Sequence, residues 1–193
     1  HSTGDYSMKN LFIGAALAAS LVAVSACETT SSRPYKASTE NIMAAQNLLA
    51  ETGTKVEIGE FSAAAGVDTS PTCRAMGALE VAPGQSPVDY IREAFQEELF
   101  SAGVVAAGGT QINGEVEQLE FNSFGTGSWK VTLRLSSGAP PEGYTVSEDF
   151  SFKTSFSAIS ACQNVIDAFQ PTVSSLLNKA IMDPQFAELA GAK

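Results

Sequence analysis

Along this chain the hydrophobic period changes from helical to extended and back again, and few folds accommodate that order. Between Ser86 and Gly103, the residues Val88, Ile91, Phe95, Leu99 and Ala102 step by three and four, so a single apolar stripe runs along a helix. Ser86 is a good N-cap, Pro87 suits the first helical position and Asp89 favours the positive end of the helix dipole. Gly103 suits the left-handed residue that ends a helix. From Ile112 the period falls to two. Ile112, Gly114 and Val116 share one parity and Leu119 and Phe121 the other, so a bulge near Glu117 or Gln118 keeps both groups inward. Trp129, Val131, Leu133 and Leu135 alternate with Lys130, Thr132 and Arg134, as in a strand with one wet face. Tyr144, Val146, Phe150, Phe152 and Phe156 form a further inward set. Glu148 is the exception among them, marking the strand's exposed end or a place where the sheet leaves its helical cover; the first is the simpler reading. Helical spacing returns with Ile159, Cys162, Ile166 and Phe169. Pro171 is expected to kink or restart that helix before Val173, Leu176, Leu177 and Ile181, and Asp183-Pro184 opens a last short turn with Phe186 and Leu189.

Upstream, Val56 and Ile58 alternate with Lys55 and Glu57, which reads as a half-buried strand. After a loop with Gly66, Asp68 and Pro71, a second strand is expected, with Cys73, Ala75, Gly77, Leu79 and Val81 inward. A flanking helix over 39–51 places Ile42, Ala45 and Leu49 on one face, with Met43 and Leu48 beside it. Hydrophobic residues make up 44% of the chain and charged residues 17%, so a packed core is available. The expected class is α+β: an antiparallel sheet of about five strands with two main helices packed on one face.

The N-terminal part carries an address. Met8-Lys9-Asn10 is followed by an uncharged apolar run over 11–26 and then Cys27, the pattern of a secretory signal peptide. The alternative, an uncleaved anchor helix, is disfavoured because the run is short and Ala-rich for a span of about 20 residues. Val24-Ser25-Ala26-Cys27 looks like a bacterial lipobox, which implies that Cys27 becomes the lipidated N-terminus. Glu28 follows, not the Asp that serves such lipoproteins as an inner-membrane retention signal, so the expected location is the outer membrane. The organisation expected is upstream residues and signal peptide over 1–26, lipidated Cys and a Ser/Thr-rich tether over 27–38, and one periplasmic domain over 39–193. Cys73 and Cys162 then remain. In an oxidising compartment such a pair is expected to be a disulfide, worth about 4.5 kcal/mol for so long a loop, the alternative being two buried thiols.

Composition narrows the chemistry. A net charge of −10 argues against binding nucleic acid, which needs a basic face. The single His is His1, so a chain processed at Cys27 has no His for a Ser-His-Asp, Cys-His or His-ligated zinc site. No metal or cofactor is expected. Cys73 and Cys162 lie too far apart for CxxC redox chemistry. Glu97-Glu98 and the set Glu115, Glu117 and Glu120 are the remaining carboxylate candidates, of which Glu115 and Glu117 fall on the outward parity of a strand. Gly108-Gly109 and Gly125-Thr126-Gly127 match no phosphate-loop fingerprint and read as turns. No catalytic residue is assigned.

The lipobox, the helix SPVDYIREAFQEELFSAG, the strands INGEVEQLEF, GSWKVTLRL and YTVSEDFSFKTSF, and a closing helix near MDPQF together resemble small outer-membrane lipoproteins of proteobacteria. The similarity extends more loosely to YajG-type lipoproteins and to the auxiliary lipoproteins of ABC transport systems. The resemblance implies a non-enzymatic domain, held to the membrane through Cys27, that binds a protein partner in the cell envelope. Lys130, Thr132 and Arg134, on the uncovered sheet face, are the candidate docking residues. The alternative is a carrier of a hydrophobic ligand or lipid between sheet and helices, which would need a sizeable apolar cavity.

Overall fold

A computed structural model describes residues 34–138 and 142–192. The lipobox residues Val24, Ser25 and Ala26, and Cys27 itself, lie outside the described residues. Four strands form the sheet, in sequence order: β1 (Val56–Ala63), β2 (Thr110–Asn122), β3 (Gly127–Ser137) and β4 (Glu142–Phe152). The class is α+β, but the sheet is mixed: β2, β3 and β4 are antiparallel neighbours, whereas β1 runs parallel to β2. The reason is the connection. α1 (Thr39–Ala45) precedes β1, and α2 (Pro87–Ser101) lies between β1 and β2, a crossover long enough to return the chain in the same direction.

The expected strand over 72–81 is a folded-back loop. Arg74 and Gly77 both have positive φ, 50° and 92°, which breaks an extended run. The loop closes on itself through Cys73 N–H to Gly77 O at 3.0 Å and Leu79 N–H to Pro71 O at 2.9 Å. The alternation there leaned on Ala75 and Gly77, which are exposed and have little side chain to bury.

α2 forms as its sequence dictates. Ser86 Oγ accepts the Asp89 N–H at 3.1 Å, Gly103 has φ +75°, and the whole stripe from Val88 to Ala102 is buried. The bulge in β2 is where parity required it. Register passes from Val116 opposite Leu133 to Gln118 opposite Thr132, leaving Glu117 as the extra residue.

α3 (Ala158–Met182) crosses the same sheet face and runs unbroken through Pro171, correcting the expected restart. Thr172 Oγ donates to Ala168 O at 2.6 Å, beside the Asp167 carbonyl that Pro171 cannot serve. α4 (Pro184–Leu189) buries Phe186 and Leu189. Between sheet and helices the space is filled by rings: Trp129 lies 4.8 Å from Phe169, Phe169 5.2 Å from Tyr90, and Phe95 6.2 Å from Phe186, centroid to centroid. Trp129 also donates its indole N–H to Val165 O at 2.8 Å, so its one polar atom is satisfied in the core.

Four side-chain placements differ from the sequence expectation. Glu148 is not at an exposed strand end; it points into the sheet–helix layer, where it accepts from Ser175 Oγ at 2.6 Å and pairs with Lys179 at 3.1 Å. Phe156 lies beyond the end of β4, and Ile159 is in the first turn of α3; both are exposed, as is Met43 on α1.

Candidate functional site

The uncovered face of the sheet carries the sequence-assigned row Lys130, Thr132 and Arg134 along β3. Their register neighbours are polar or acidic. Lys130 lies between Glu120 and Asp149 and pairs with Asp149 at 3.8 Å. Thr132 lies between Gln118 and Ser147 and shares a hydrogen bond with Ser147 Oγ at 2.9 Å. Arg134 lies between Glu115 and Thr145. This face is polar, mixed in charge and suited to water.

The other distinctive region is the end of the sheet near the disulfide. Cys73 and Cys162 are bridged, with S–S 2.04 Å and Cα–Cα 5.8 Å across 89 residues of sequence, tying the 72–81 loop to α3. Arg74, next in the chain, ties that loop to two others. Its Nε donates to Ser123 Oγ at 3.2 Å and one Nη2 proton to Ser123 O at 2.5 Å, in the β2–β3 turn. Nη2 also reaches Ser155 O and Nη1 reaches Phe156 O, both at 3.1 Å, in the β4–α3 connection. Thr154 Oγ joins the same knot by donating to Ser123 O at 2.5 Å.

On these braced loops and the first turn of α3 the chain leaves large apolar side chains in water. Phe156 is fully exposed at 108%, Phe124 is 64% exposed and Ile159 66% exposed, with Met76 partly so. The Asn122 side chain shapes the turn that presents Phe124, accepting the Phe124 N–H at 3.0 Å and donating to Phe124 O at 2.8 Å. The Phe124 ring covers one face of the Arg74 guanidinium, 4.3 Å from centroid to carbon. Between Phe124 and Phe156 lies an open cleft of about 360 Å³ with Arg74, Gly125, Thr154 and Ser155 in its walls.

The carboxylate candidates do not assemble. Glu97 is exposed and Glu98 wholly buried, on different sides of α2. Glu98 is instead a structural anchor for the N-terminal arm: it accepts Ser38 N–H at 3.0 Å, Asn41 Nδ2 at 3.0 Å and the Tyr35 hydroxyl. Burial, reinforced by that neighbouring carboxylate, pushes the Tyr35 phenol well above its ordinary range. Burial pushes Tyr90 up to about 12. It raises Tyr144 further, with Asp183 contributing. Glu115, Glu117 and Glu120 are all exposed on β2. Among the described residues no cluster of three His, Cys, Asp or Glu side chains is placed to hold a metal, and no helix is long and apolar enough to cross a membrane.

Comparison with known proteins returns little sequence kinship: no family model matches the chain, and no curated protein matches it. Among solved structures, the chain is similar to the crystal structure of protein XCC0632 from Xanthomonas campestris, of family DUF330. That match has 12% identity and a TM-score of 0.47, over 68% of this chain and 86% of the other.

Sequence reading therefore located the disulfide partners and the outward row on β3, and the structure brings Cys73 and Cys162 together. It missed Arg74 and Phe124. A signal for Phe124 was available, since an aromatic residue inside Asn-Ser-Phe-Gly-Thr-Gly, between two strands, has no core to enter. Arg74 offered none, because its partners are carbonyls from segments far away in the sequence.

Proposed function

We propose that this chain is a non-enzymatic domain, lipid-anchored through Cys27 at the outer membrane and facing the periplasm, which binds a protein partner of the cell envelope. The observation that supports this best is the contrast between a ring-filled interior and exposed aromatic residues at the disulfide end. Rings occupy the layer where a carried ligand would lie. Phe124 and Phe156 stand in water on loops held by Arg74 and the disulfide. Leaving such side chains exposed forgoes about 2 kcal/mol of burial each, and bracing them lowers the ordering cost when a partner covers them. The docking surface in this reading is the Phe124–Phe156 end, in preference to Lys130, Thr132 and Arg134.

Native mass spectrometry of the chain extracted from outer membranes, combined with lipid extraction, tests the reading. It expects an acylated Cys27 as the N-terminus and no second, non-covalent lipid at stoichiometric level. A stoichiometric bound lipid would turn the assignment to a carrier, and an unacylated Cys27 would remove the anchor.

A further inference from the structure

The two sides of Arg74 differ in charge. On one side a shallow cleft of about 400 Å³ includes Asp68 and Glu120 in its walls. On the other, the Phe124–Phe156 cleft contains no carboxylate: its walls are the two rings, Gly125, and the polar Thr154 and Ser155. Arg74 itself is held by neutral oxygens only, from Ser123, Ser155 and Phe156. Among the described residues it belongs to no ion pair. Four of its N–H groups are used by these bonds, which leaves one on Nη1. In a chain of net charge −10, this guanidinium has no ion-pair partner, carries the Phe124 ring over one face and keeps one N–H unspent beside the Phe156 carbonyl.

We infer that the Phe124–Phe156 cleft receives an acidic side chain flanked by apolar residues, with its carboxylate on the free Nη1–H of Arg74. This rests on the docking reading above and adds the chemistry of the partner segment. Apolar neighbours of that acid cover the Phe124 and Phe156 rings, and excluding water there strengthens the charge-assisted bond. Ser155 lies in the same wall, whereas the Thr154 hydroxyl proton is already spent on Ser123 O. Asp68 and Glu120 repel an anion from the opposite side of Arg74, so the segment enters from one direction only.

Two labelled peptides, acetyl-Leu-Glu-Phe-amide and acetyl-Leu-Gln-Phe-amide, probe this by fluorescence anisotropy against the full chain in detergent. The expected result is binding of the Glu peptide about ten-fold tighter than the Gln peptide, the margin between a charged and a neutral hydrogen bond. Phe156→Ser, at a fully exposed position, weakens both peptides and preserves their ratio. Arg74→Gln brings the ratio close to one, with the fold checked by the near-ultraviolet signal of buried Trp129 and by the intact disulfide. Equal binding of the two peptides to the unaltered chain would overturn the inference, as would a ratio that survives Arg74→Gln in folded protein. Photo-crosslinking of a protein partner at Phe156, together with equal peptide binding, would leave the docking reading standing and remove only the acidic occupant.

Discussion

Arg134 on the open sheet and Arg74 at the disulfide end stand in different surroundings. On the open sheet Arg134 stands across from Glu115, and its neighbour Lys130 is flanked by Glu120 and Asp149. At the disulfide end Arg74 is surrounded by carbonyls, with the Phe124 ring over one face. The first surface is polar and solvated along each strand, so a partner gains little apolar burial by covering it. The second is held rigid by a covalent bridge and a guanidinium clamp, yet exposes apolar area. In the proposed reading, exposed apolar area on braced loops marks the docking surface, and outward position alone does not.

The sharpest way to break the comparison is to remove the bridge. Cys73→Ser with Cys162→Ser should cost about 4 kcal/mol, read as a lower urea midpoint, and reductant should reproduce the loss in the unaltered chain. The loss should appear first in hydrogen exchange at the 72–81 loop and the start of α3, leaving β2–β3 protection largely in place. Arg74→Ala comes next, at about 2 kcal/mol for lost loop-bridging bonds, and should raise the mobility of the β2–β3 turn and the β4–α3 connection together. If only one of them loosens, Arg74 is not their common clamp.

Alkaline titration should separate the core beneath the sheet from the braced end. In the folded state Tyr90 ionises at about 12 against an ordinary 10.0, and Tyr35 and Tyr144 are also raised. The unfolded chain therefore loses these protons first. Their contribution is fully present below pH 10 and fades as pH climbs towards and through 12. Circular dichroism should show stability falling steadily over that interval; a flat profile would contradict the buried phenols. The smallest effects belong to single surface changes. Phe156→Ser, Phe124→Ser, Lys130→Ala and Arg134→Ala should each shift stability by less than about 0.5 kcal/mol, and only the first two should reduce partner capture.

What the sequence could reveal follows from how local each feature is. α2 was legible because its cap, its stripe and its terminating Gly103 all act within one helix. The β2 bulge was legible because the parity switch between Val116 and Leu119 admits only one repair. The parallel pairing of β1 was not, since strand direction depends on where α2 delivers the chain. The false strand over 72–81 arose because small residues mimic alternation, while Arg74 in a left-handed conformation breaks it. Glu148 looked like a strand end because its partners, Ser175 and Lys179, sit on a helix well downstream. The end proposed for docking was illegible for the same reason: it is assembled from three loops that meet only in the folded chain.

The most direct test is site-specific photo-crosslinking of the full chain in outer membranes, with probes at Phe124 and Phe156 in one set and at Lys130, Thr132 and Arg134 in another. One abundant protein adduct is expected from the first set and none from the second. Adducts from the sheet set alone, or lipid adducts alone at Phe124 and Phe156, would contradict it.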